Sequence, residues 1–77
     1  MEIDIISFGK IAEFLPAQKL ELKDVSDTEA LKTFLEKEYP GLKGMKYKMA
    51  LNKQVVQHNI ELRDRATIAI MPPFSGG

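Results

Sequence analysis

The sequence predicts an α+β fold, a five-stranded mixed sheet packed against one principal helix. Three observations carry that expectation. Short runs rich in isoleucine, leucine and valine alternate with a period of two near both ends of the chain. One stretch, "SDTEALKTFLEKEYPG", has the period of an amphipathic helix. That stretch stands between the second and third strands, so it supplies the long crossover that lets the last strand lie parallel beside the first.

The first strand runs from Glu2 to Phe8, "EIDIISF", with Ile3 and Ile5 on one face and Glu2 and Asp4 on the other. Ile6 and Phe8 break the alternation, as expected of a central strand whose far end is covered on both faces or enters a bend. After Gly9, "KIAEFLP" spaces Ile11, Phe14 and Leu15 for one or two helical turns, which Pro16 ends. "KLELK", Lys19 to Lys23, is the second strand, paired with the first as a hairpin whose connection holds the short helix.

The principal helix opens on a capping-box signature, Ser26 with Glu29, in which each side chain satisfies a backbone donor of the first turn. Leu31, Phe34 and Leu35, with Ala30 beside them, form its apolar stripe; Lys32, Glu36 and Lys37 face water, and Pro40 and Gly41 end it. "GLKGMKYK" reads as a linker. Met49 to Leu51 and Gln54 to Gln57 then form a tight hairpin around Asn52 and Lys53, since Asn tolerates a positive φ. "NIEL" and a polar turn lead to the final strand in "TIAIMP", and Pro72 and Pro73 cannot extend its ladder. This order of elements is that of a β-grasp, ubiquitin-like domain over residues 1–71, followed by a C-terminal tail over residues 72–77.

Composition narrows the chemistry. A core built from 77 residues buries about 60% of the surface of its unfolded chain, which leaves one domain and excludes an interdomain active-site cleft. There is no cysteine, so neither disulfides nor thiolate zinc sites hold the core together. Eleven basic and eleven acidic side chains cancel to a net charge of zero, against nucleic-acid binding. Apolar runs are far too short to span a membrane, and "MEIDII" carries acids where a signal peptide needs bases; the expectation is a soluble, cytoplasmic protein.

No side-chain constellation points to catalysis. His58, the single histidine, reads as a solvated loop residue, and the carboxylates lie on solvent-facing positions, with Glu36 and Glu38 unable to share one helix face. No phosphate-binding "GxxxxGK[ST]" loop is present, and neither a metal nor a cofactor is expected to bind this chain. Lys43, Lys46, Lys48 and Lys53 make a local basic patch that reads as solvated surface or a docking site.

The tail "PPFSGG" is where the chemistry points. From Pro72 to Gly77 an extended chain reaches roughly 20 Å, at about 3.3 Å per residue, far enough to enter another protein's active site. Pro72 and Pro73 stiffen its base, which lowers the entropy lost on docking. Phe74 offers one apolar anchor, for a partner or for the chain's own sheet, and Ser75, Gly76 and Gly77 offer a slim reach. A terminal glycine carboxylate has no β-carbon beside it, so it passes through a narrow channel and is open to a nucleophile from either side.

"ALNKQVV", followed by "LRDRATIAIMPPFSGG", closely resembles the MoaD family of sulfur carriers, the small subunits of molybdopterin synthase. The likeness extends over the entire chain, from the opening strand and the helix after "FG" to the capped helix and the terminal "PPxSGG". What it implies is a non-catalytic carrier subunit whose chemistry takes place at the carboxylate of Gly77. An ATP-using activating enzyme adenylates that carboxylate, sulfur from a donor attacks the mixed anhydride, and a thiocarboxylate results. The tail then enters the large catalytic subunit of a heterotetramer and passes sulfur to a cyclic pterin precursor. In this reading Gly77 carries the sulfur, Gly76 gives it access, Ser75 adds to the tail's reach, and Phe74, Pro73 and Pro72 position the tail.

Two departures from the family pattern stand out. Relatives read Asp-Gly-Asp before the last strand where this chain has Asp64, Arg65 and Ala66, so the Gly suited to positive φ is missing. Ala12 replaces an arginine common before the glutamate, here Glu13. Three alternatives share the fold: a thiamine-type or other sulfur carrier, a ubiquitin-like protein modifier, and an interaction domain with an inert tail. The inserted "GKIAEFLP" and the double proline favour the pterin carrier. In each case the partner surface is expected on the sheet near the last strands, drawn with the core from Met49, Leu51, Ile68, Ile70 and Phe74.

Overall fold

A computed structural model describes residues 1–73, so Phe74, Ser75, Gly76 and Gly77 lie outside the described residues. Five strands form one mixed sheet: β1 (Glu2–Ser7), β2 (Gln18–Glu21), β3 (Lys48–Leu51), β4 (Gln54–Val55) and β5 (Thr67–Met71), in the order β2-β1-β5-β3-β4. β1 and β5 are parallel and the other neighbours antiparallel. One helix, α1 (Thr28–Glu38), packs on the sheet. This is the β-grasp arrangement that the order of elements predicts.

The core lies between α1 and one face of the sheet. Ile3 and Ile5 of β1, Met49 of β3, and Ile68 and Ile70 of β5 point inward at every second position and meet Leu31 and Leu35 of α1. The β1–β2 hairpin has the expected insertion, a 3-10 turn over Gly9–Glu13 that buries Ile11 completely, with Leu15 beyond it equally enclosed. Ser7 Oγ donates to the Leu15 carbonyl, tying the insertion back to β1.

Four local readings are corrected. The cap of α1 is Asp27, not Ser26: its carboxylate accepts from Ala30 N at 2.8 Å. Ser26 instead gives its carbonyl to Leu62 N at 2.8 Å, and Glu29 N donates to Asn59 Oδ1 at 2.9 Å, so a distant side chain takes over part of the capping. The "GLKGMKYK" stretch is anchored rather than a free linker, with a 3-10 turn over Pro40–Leu42, Leu42 fully buried and Tyr47 OH bonded to Glu36. β4 is shorter than Gln54 to Gln57, ending at Val55. Finally, of the two readings of Ile6 and Phe8, cover on the second face fails, since both are exposed, while the bend is present at Gly9, φ 63°.

The turns follow the backbone chemistry of their residues. Asn52 and Lys53 both take positive φ, 48° and 75°, as a two-residue hairpin turn between twisted strands requires. Arg65, where the family pattern has glycine, adopts φ 68°. Asp64 and Arg65 lock that turn to β1: Glu2 N donates to Asp64 Oδ1 at 2.7 Å and Arg65 N donates to the Glu2 carbonyl at 2.6 Å. Two tertiary hydrogen bonds offset a left-handed backbone that costs a non-glycine residue about 1 kcal/mol.

Candidate functional site: the tail base and the outer face of the sheet

Because β1 and β5 are parallel, both leave the sheet at the same end. β5 stops at Met71, and Pro72 and Pro73 follow, as residues without an amide hydrogen must. Phe8 N donates to the Ile70 carbonyl at 3.0 Å, so the end of β1 is pinned beside the last residues of β5. The tail therefore departs between Phe8 and Gly9 on one side and the start of β3 on the other, where Lys48 pairs with Met71.

The face of the sheet opposite α1 continues directly from this point. Its register aligns one apolar row across four strands: Ile6 pairs with Ala69, Ala69 with Ala50, and Ala50 with Val55. The small alanines in the middle and the larger Ile6 and Val55 at the flanks make a trough. Together with Phe8, Met71, Pro72 and Pro73 the row lines a groove of about 780 Å³, with Lys53 as its charged wall residue. Ile6, Phe8 and Val55 are 37%, 50% and 46% exposed, an apolar cluster that the free chain leaves against water.

The described members of the pool named for core and interface together lie on the inner face. Met49, Ile68 and Ile70 are buried in the core and Leu51 packs against it, while Phe74 lies outside the described residues. The residues exposed near the last strands are the alternate ones, on the outer face. A sequence signal for them exists: Ile6 and Phe8 are apolar out of phase with Ile3 and Ile5 in a fold whose one helix covers one face. Of the predicted tail residues, Pro72 and Pro73 sit at the groove's end; Ser75, Gly76 and Gly77 are not described.

A second concavity, of about 420 Å³, lies between α1 and residues 55–59. Its polar groups serve the fold: Asn59 Oδ1 accepts from Thr28 Oγ1 and Glu29 N, and Thr28 Oγ1 accepts from Ile60 N. His58 is exposed on its rim, in the loop position expected. Tyr47 is also there, its hydroxyl held well above the usual phenol range by burial, by its hydrogen bond to Glu36 and by that carboxylate's charge. Lys32 Nζ stands 5.7 Å from the ring centroid. Among the described residues no group of three or more metal-ligating side chains converges, and no helix is long and apolar enough to cross a membrane.

The sequence profile of the ThiS family matches residues 5–77. The chain belongs to the ThiS family. Among solved structures, this ThiS-family chain is similar to a chain of the complex of subunits 1 and 2 of the molybdopterin-converting factor from Helicobacter pylori 26695. That match has 30% identity, TM-score 0.71 and full coverage of both chains. A Pyrococcus furiosus protein described as molybdopterin converting factor, subunit 1, superposes with TM-score 0.84 at 16% identity, over 95% of this chain and 98% of that one. SAMP1 from Haloferax volcanii superposes with TM-score 0.78 at 15% identity, over the whole of both. The ThiS-family chain has the fold of ubiquitin-like sulfur carriers of the ThiS/MoaD type.

Proposed function

We propose that this chain is the sulfur carrier of a molybdopterin synthase. An ATP-dependent activating enzyme adenylates the Gly77 carboxylate, a donor's sulfur displaces AMP, and the thiocarboxylate enters the active site of a large subunit, which directs the sulfur to a cyclic pterin precursor. The observation that carries the proposal is the continuity of the exposed apolar row with the tail base at Pro72 and Pro73. A partner covering that row receives the tail in the same docking event, so the reacting carboxylate is presented at high effective concentration. The similarity to a subunit of a two-subunit molybdopterin-converting factor supports a large-subunit partner. This chain supplies no acid, base or phosphate-binding loop of its own in this reading; Gly77 is the reacting group, Gly76, Ser75 and Phe74 the reach, and catalysis belongs to the partners.

The test is the intact mass of the chain after expression beside the activating enzyme and a sulfur donor. A gain equal to one oxygen replaced by sulfur, followed by transfer to the pterin precursor in the presence of the large subunit, is expected. Deleting Gly77, or adding one residue after it, abolishes the gain while thermal unfolding stays unchanged. Sulfur loading without any transfer to the pterin points to a thiamine-type carrier. A covalent adduct on a lysine points to a modifier, and an unchanged mass sinks the carrier reading.

A further inference from the structure

Gly9 is a left-handed residue, φ 63°, at the point where β1 turns into the 3-10 segment. A Cβ placed on it would lie 2.9 Å from Pro72 Cγ and 3.5 Å from Pro72 Cδ, the first closer than real Cβ contacts come. The neighbour has less freedom than a long side chain: its Cγ shifts only by repuckering of the ring, and its Cδ, bonded to the backbone nitrogen, moves only with the main chain. Pro72 is also held from behind: Ile70 pairs with Ser7 and its carbonyl accepts from Phe8 N at 3.0 Å. The first residue of the tail is therefore seated on bare backbone at Gly9, with the ring packed where any other residue would put a side chain.

We propose that Gly9 is a positioning residue for the carboxylate chemistry at the other end of the tail. By admitting the Pro72 ring against β1, it sets the direction in which the tail leaves the sheet, alongside Phe8 and the apolar row. The inference rests on the sulfur-carrier reading for its functional consequence, though not for its geometry. A side chain at position 9 pushes Pro72 outward and turns the exit away from the face that a partner covers. Fewer molecules then present tail and face together, so docking weakens, while the reaction of a tail already threaded is untouched.

The variants are Gly9→Asn, Pro72→Ala and the pair. Asparagine tolerates the left-handed backbone, so Gly9→Asn adds a Cβ with little backbone strain. Alanine at position 72 lacks the two ring atoms that the Cβ would meet. In ATP-dependent sulfur loading, Gly9→Asn is expected to raise KM for the carrier about tenfold with kcat within about twofold, and to shift Tm by less than about 4 °C. Adding Pro72→Ala should restore most of the loss. A second readout does not depend on sulfur chemistry: a nitroxide on Ser75→Cys, a unique site in a cysteine-free chain, reports the tail's direction through the amides it broadens. That pattern should change in Gly9→Asn and return in the double variant. An unchanged KM, an unchanged pattern, or effects of the two substitutions that simply multiply would each overturn the role of Gly9 while sulfur loading of the parent chain keeps the carrier reading. A parent chain that takes up no sulfur would instead overturn the carrier reading, with the nitroxide comparison still deciding whether Gly9 steers the tail.

Discussion

The two faces of the sheet are built from the same strands and come to opposite ends. On the inner face Ile3, Ile5, Ile68 and Ile70 are almost wholly enclosed by α1 and the connecting segments. On the outer face Ile6, Phe8 and Val55 stand in water beside Ala69 and Met71. The inner face uses large β-branched residues that fill space between layers. The outer row uses two alanines between larger flanks, a shape left as an open groove among the described residues. Exposed apolar patches mark interaction surfaces in soluble domains, and this one leads to the base of the tail, as the proposed function requires.

The sharpest way to break that contrast is to substitute two neighbours on β5. Ile68→Ala on the inner face should cost about 3 kcal/mol, read in urea denaturation, through lost burial and the cavity left behind. Ala69→Arg, one residue along and facing out, should leave that stability within about 0.5 kcal/mol yet weaken binding to the large subunit by about 2 kcal/mol in a titration, by placing a charge in the middle of the apolar row. Equal stability losses from both would show that the outer face is structural.

Smaller effects sharpen the comparison away from the sheet's centre. Tyr47→Phe removes the hydrogen bond to Glu36 and should cost about 1 kcal/mol at neutral pH. The phenol's ionisation is raised in the fold, so its stabilising contribution is complete below the ordinary tyrosine range and is lost as pH rises through the elevated value. The parent chain should therefore lose stability relative to Tyr47→Phe in strongly alkaline buffer, with one phenol titrating late by ultraviolet absorbance. Arg65→Gly should raise stability by about 0.5 kcal/mol in chemical denaturation, since glycine takes φ 68° without a Cβ penalty and both hydrogen bonds with Glu2, to the Asp64 carboxylate and from the amide of residue 65, remain possible.

Much of this was legible in residue order. The alternation of Ile3 and Ile5, the stripe of Leu31 and Leu35, the Asn52–Lys53 turn and the strand-ending Pro72 each depend on neighbours within a few positions, and each stands where local chemistry puts it. The cap of α1 was not legible to the residue. Ser26 and Asp27 are both good caps, and the choice between them was made by residues 59–62, whose Asn59 side chain and Leu62 amide reach helix and cap from thirty or more positions away.

By itself the sequence determined the elements and their order, because those follow from short-range sterics and the period of apolar residues. Only the tertiary structure decided which of two apolar sets on β1, β3 and β5 is core and which is left open. Period two separates the faces of a strand without saying what lies over either, and a single helix can cover only one. The same holds for Gly9: its sequence neighbours mark a turn, while the reason for having no side chain is Pro72, brought against it by the parallel pairing of two strands from opposite ends of the chain.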